Sequence, residues 1–160
     1  MKKALLASAM LILAVFLLCA CTAQPAEPTP APTAELMPIY ADQITEGTYA
    51  IEVSASSSMF RVVDAQLTVK DGIMTCVITM SGKGYGKLYM GTGEQALADT
   101  EAHTIPSVIN AEDEVAFEVP VEALDKDIDC AAWSIKKEMW YDRVLVFQSA
   151  SIPADALKLK

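Results

Sequence analysis

The chain has one histidine, His103, in 160 residues. That excludes a multi-histidine metal site and leaves a serine triad only one base. Basic residues are also scarce, with Lys+Arg 12 against Asp+Glu 21. Lys2 and Lys3 lie in the leader, so residues 21–160 hold 10 basic and 21 acidic groups, a net charge of −11. A nucleic-acid partner is excluded on that ground, because counterion release needs clustered Lys and Arg. Glycine numbers only seven, and five of these fall between Ser81 and Gly93. That segment lacks the Gly-Lys-Ser/Thr ending of a phosphate loop. The chain has no nucleophile elbow, no ligand cluster and no paired carboxylates at informative spacing, so the expectation is a protein that is not an enzyme. Helix-period patterning is sparse, and no repeat occurs at solenoid periods.

The amino terminus carries a targeting signal. Lys2 and Lys3 form a positive start, and Ala4 to Cys21 is apolar apart from Ser8. These are the n-region and h-region of a secretory signal. The run ends Leu18-Cys19-Ala20-Cys21, which resembles a bacterial lipobox. That resemblance implies cleavage before Cys21, diacylation of its sulfur, and a location on the extracytoplasmic face of the cell membrane. Residues 1–20 are then the signal peptide. Residues 21–38 are the lipidated Cys21 and a linker with five prolines and no glycine. Such a stretch favours polyproline II and reaches up to about 50 Å at ~3.1 Å per residue.

Residues 39–160 are expected to fold as one all-β domain. Seven candidate strands are legible: Gly47 to Ser54, Ala65 to Lys70, Ile73 to Met80, Tyr85 to Met90, Glu114 to Val119, Ile128 to Ile135 and Arg143 to Ser149. Asp71-Gly72 is a hairpin signal between two alternating runs. Gly93 to Asp99 predicts two helical turns and Val121 to Leu124 one. Seven short strands separated by turns suggest an antiparallel, immunoglobulin-like β-sandwich. Cys76 and Cys130 each fall in a candidate strand. Export permits a disulfide between them, and a pair of buried thiols is the alternative.

Three segments stand out from sandwich filler. Ser54 to Arg61 holds consecutive serines, including Ser57 and Ser58, before Met59, Phe60 and Arg61. Ser81 to Gly93 holds Tyr85 and Tyr89 among glycines that let a backbone approach a flat ligand. Ser134 to Arg143 holds Trp140 and Tyr141, expected at the turn between the last two strands. Six cations fall in these segments: Arg61, Lys83, Lys87, Lys136, Lys137 and Arg143. If the segments meet in space, they build one anion-attracting site.

The serine-rich Ser56 to Phe60, the Asp71-Gly72 hairpin, the Val119 to Leu124 run and the ending from Trp140 to Phe147 occur in the order of a NEAT-type haem-binding domain, which the chain resembles over about residues 45–150. The resemblance implies an immunoglobulin-like fold that binds haem between a short 3₁₀ turn and the last hairpin. Tyr141 would then be the iron ligand, Ser57 or Ser58 would bond a propionate, and Met59 or Phe60 would pack on the porphyrin. Tyrosinate is an established class of axial haem ligand. The family's second tyrosine would stand four residues after Tyr141, where this chain has Leu145. The functional expectation is a lipid-anchored protein capturing haem or another iron-bearing or anionic small ligand. The alternative is a surface module that recognises a protein or glycan through Met59, Phe60, Trp140 and Tyr141, without haem.

Overall fold

The structure is a computed structural model that describes residues 37–99 and 103–158. The expected signal peptide, Cys21 and most of the expected proline-rich linker lie outside the described residues. Among the described residues no helix is long and apolar enough to cross a membrane. The described residues form ten strands, three more than the sequence suggests: β1 (Gly47–Ala50), β2 (Glu52–Ala55), β3 (Val62–Lys70), β4 (Ile73–Met80), β5 (Tyr85–Met90), β6 (Ile105–Pro106), β7 (Val108–Ile109), β8 (Val115–Val121), β9 (Ile128–Ser134) and β10 (Met139–Gln148). They assemble into two antiparallel five-stranded sheets, ordered β1-β3-β4-β8-β7 and β2-β10-β9-β5-β6. The all-β sandwich expected from the alternating runs is therefore the fold.

The central strands obey their alternation. In β4, Met74, Cys76, Ile78 and Met80 are buried while Ile73 and Val77 are exposed. Opposite them, Leu88, Cys130, Ala132, Leu145 and Phe147 fill the other side of the same core. Burying each large apolar side chain contributes roughly 1.5–3 kcal/mol. Asp71 (φ 51°) and Gly72 (φ 73°) both adopt the left-handed conformation that a two-residue hairpin requires.

The expected first strand is in fact two. β1 pairs with β3 in one sheet, whereas β2 pairs with β10 in the other. Between them Ile51 is buried, and its amide donates to Ala65 O at 3.0 Å. On the opposite side, β6 pairs with β5 and β7 pairs with β8, with Ser107 between them. All four are edge strands. Each pair of sheet edges is thus joined by one stretch of chain that switches sheets, which shields edges prone to stray pairing.

Two local expectations need correction. The segment from Val121 to Leu124 is extended, because Val121 ends β8 and Leu124 pairs with Ile39. Trp140 and Tyr141 lie inside β10, and the turn before it is Ile135 to Glu138, with Glu138 at φ 51°. The helix is present as α1 (Gly93–Ala98). It is opened by a capping box in which Thr92 Oγ1 accepts from Gln95 N at 3.2 Å and Gln95 Oε1 accepts from Thr92 N at 2.8 Å. Asp142 Oδ1 also accepts from Gly93 N at 2.6 Å, which pins the start of α1 to β10.

At ~3.3 Å per residue β4 runs roughly 25 Å from end to end. The chain enters the domain at the Ile73 end, where Ile39 pairs with Leu124. An open trough of about 860 Å³ lies there, edged by Asp42, Glu122, Asp127 and Asp129. The Met80 end of β4 is where the three unusual segments come together.

Candidate functional site

A cavity of about 420 Å³ opens at the Met80 end of the sandwich. It is walled by Met59 and Arg61 before β3, Ser81, Gly82 and Gly84 before β5, and Lys136 and Lys137 in the β9–β10 turn. Tyr85, Tyr141 and Arg143 reach it from their strands, and Met80 and Ser134 complete the wall. The three segments singled out in the sequence therefore do converge. A volume of this size falls within the usual range for small-ligand sites.

Strand irregularities aim the side chains. The pairing of β5 with β9 shifts register between Tyr85 and Lys87, and that of β3 with β4 shifts between Val62 and Asp64. Both bulges sit at the cavity end of their strands, where an extra residue re-aims its neighbour. Counted outward from buried Leu88, strict alternation would turn Tyr85 to the outer face. The bulge at Gly86 returns it inward, where its ring meets Phe60 edge-on with centroids 5.2 Å apart. A Cβ at Gly82 or Gly84 would meet no atom within 4 Å, so both backbones stand open beside the cavity.

Charge in the cavity has one sign. Arg61, Lys136, Lys137 and Arg143 line it, and among the described residues no carboxylate does. The two acids of the last hairpin segment point elsewhere. Asp142 is turned to the outer face by strand alternation and holds α1, while Glu138 lies exposed in the turn. Lys83 stands outside the lining and pairs with Asp113 at 2.6 Å.

The Arg143 guanidinium is held by neutral groups. Nη1 donates to Asp142 O at 2.6 Å, and Nη2 donates to the Tyr85 hydroxyl at 3.3 Å. The guanidinium carbon lies 5.1 Å from the Tyr141 ring centroid, a cation–π contact. Nε is buried and has no hydrogen-bond partner.

Several candidate residues fall elsewhere. Phe60 is fully buried in the core and is not available to pack on a ligand; it supports Tyr85 from behind. Ser57 and Ser58 lie on the adjoining turn, where Ser57 Oγ accepts from Met59 N at 3.3 Å, and neither lines the cavity. Ser56 instead ties this loop to β10, its hydroxyl accepting from Val144 N at 2.9 Å. Trp140 and Tyr89 do not line the cavity either. Trp140 meets Trp133 edge-on, centroids 5.4 Å apart, with Lys87 Nζ 5.8 Å from the Trp140 ring. The Tyr89 hydroxyl donates to Asp99 Oδ2 at 3.0 Å, which pushes its pKa up. Adjacent residues on a strand point to opposite faces, so Trp140 and Tyr141 cannot belong to one patch.

Met80, Ser134, Lys136 and Lys137 join the site beyond the individual residues expected. The two lysines were legible as part of the cation cluster. Ser134 opens the last of the three segments, whereas Met80 carried no such signal, since it reads as an ordinary strand end.

Cys76 and Cys130 are buried, unpaired thiols, one from each sheet. No disulfide joins them. Burial pushes the Cys76 thiol up to about 12, helped by the charge of Asp64. Burial does the same for Cys130, up to about 12, against the opposing influence of Arg143. Among the described residues no three His, Cys, Asp or Glu side chains are grouped to hold a metal ion. No family model, curated protein or solved structure matches this chain.

Proposed function

We propose that the chain is a lipid-anchored extracytoplasmic binding protein that captures an anionic small ligand in the cavity between the serine loop, the glycine segment and the last hairpin. One observation carries this reading: a net-negative protein lines a concave site with four cations and, among the described residues, no carboxylate. A low-dielectric wall focuses such a field and raises the local concentration of anions. The lipobox and the proline-rich stalk support the location.

Haem is the first ligand to try. Tyr141 lines the cavity and offers a phenol as axial ligand, while the lysines and arginines suit two propionates. Leu145 is fully buried in the core, so a hydroxyl four residues on from Tyr141 is not part of the site. The test is a haemin titration of the detergent-solubilised full chain, read against detergent alone. A Soret band that saturates at one equivalent and is lost in Tyr141→Phe supports haem. Its absence removes haem and leaves other anions, which competition with inorganic phosphate and citrate would reveal. The anchors of a protein- or glycan-binding patch, Met59, Phe60, Trp140 and Tyr141, are divided among cavity, core and outer face. The geometry gives that alternative no single surface.

A further inference from the structure

Arg143 is an awkward residue for stability. It is half-buried beside the core, yet none of its partners is charged. Among the described residues no carboxylate forms an ion pair with it. Its Nε is out of contact with water and bonded to nothing. A guanidinium drawn from water without an opposing charge costs free energy, and an unmet buried donor adds to that cost. The neighbouring acid Asp142 does not offset it, because the strand turns that carboxylate to the outer face to hold α1. At the same time Arg143 is tightly placed: Tyr85 holds one edge, the Asp142 carbonyl another, and the Tyr141 ring a face. Lys136 and Lys137 differ in kind, being exposed on a turn.

From this we infer that Arg143 is the specificity-determining anchor of the cavity, and that the ligand presents an oxyanion, a carboxylate or a phosphate, to its guanidinium while an apolar portion lies against Met59 and Met80. The inference rests on the binding function proposed above and deepens it. A positioned guanidinium makes directional, charge-assisted bonds to oxyanions, whereas flexible exposed lysines act as point charges that steer. Arg143 therefore sets which anions stay bound, and the lysines set how fast they arrive.

The experiment uses the full chain in detergent at constant ionic strength, with inorganic phosphate and hexanoate as probes. They separate a bare phosphate from a carboxylate on an apolar tail. Thermal unfolding is recorded for wild type, Arg143→Met, Arg143→Lys and the Lys136→Gln/Lys137→Gln double variant, with and without probe. Without probe, Arg143→Met is expected to melt at or above the wild-type temperature, since it removes an unpaired charge. With probe, its affinity is expected to fall by about tenfold or more, as follows when one partner of a desolvated charge pair is removed. Arg143→Lys is expected to recover only part of this, and the double lysine variant to lose mainly salt dependence. An Arg143→Met protein that melts well below wild type and is restored by Arg143→Lys would show a structural cation and overturn the inference. So would undiminished probe binding in Arg143→Met. Failure of the wild type to bind either probe or haemin is a different result, and it overturns the binding function itself.

Discussion

Replacing Phe60 by alanine separates two roles that the sequence could not tell apart. On a ligand face, the ring would contribute to binding and little to stability. In the structure it is fully buried and its edge-to-face contact supports Tyr85. Truncating a core phenylalanine costs about 3–5 kcal/mol. Roughly 0.5–1.5 kcal/mol of that is the specific ring–ring contact. A domain of this size has a total stability of about 5–15 kcal/mol, so the loss is a large share of it. At about 4 °C per kcal/mol, the melting temperature of Phe60→Ala should fall by roughly 12–20 °C. Thermal unfolding followed by tryptophan fluorescence measures that fall and urea unfolding the free energy, with Phe60→Leu as the milder control. Anion binding should weaken as well, because Tyr85 loses its backing. A loss under ~1 kcal/mol combined with weakened binding would refute the packing argument and return Phe60 to the ligand.

Three further outcomes follow from local geometry. The unfolded Cys76 and Cys130 thiols ionise near 9.0, and burial pushes the folded ones up to about 12. Above pH 9 the unfolded chain sheds protons that the folded chain retains, so stability should fall as pH rises from 9 towards 12. Urea midpoints across that range should fall more steeply for wild type than for the Cys76→Ala/Cys130→Ala pair. Gly72→Ala has open space for its methyl but must keep φ at +73°, so it should lose about 1 kcal/mol in urea titration. The Asp125 carboxylate accepts from Ser149 N at 2.9 Å and from the Ser149 hydroxyl. Asp125→Ala should therefore cost about 1–3 kcal/mol, with Asp125→Asn recovering part of it, by the same measurement.

The sequence showed most clearly what local chemistry alone determines. β4 declared itself by strict alternation, the β3–β4 hairpin by Asp71-Gly72, and α1 by the run from Gly93 to Asp99. What it hid depended on partners distant along the chain. Residues 47–54 read as one strand because alternation continues through Ile51, and only pairing to β3 on one side and β10 on the other divides it. β6 and β7 are two residues each, too short for a period to register. The final turn uses Glu138 rather than glycine or asparagine in the left-handed position, so nothing marked it, and Trp140-Tyr141 took its place in the reading. In the site, the convergence of cations was legible as composition. Which of them line the cavity was not: Lys83 and Arg143 look alike in sequence, and only the fold gives Asp113 to the first and, among the described residues, no carboxylate to the second.

The sheet-switching first strand also determines how the domain responds to force. A pull on the chain at Met37 enters at one end of the sandwich, and a load held in the cavity acts at the other. β1 and β2 lie along that line, bonded laterally to β3 and to β10. Tension would load their rungs together in shear rather than peel them open one by one. In single-molecule pulling, a domain built this way should rupture at higher force along this axis than when stretched across the sheets.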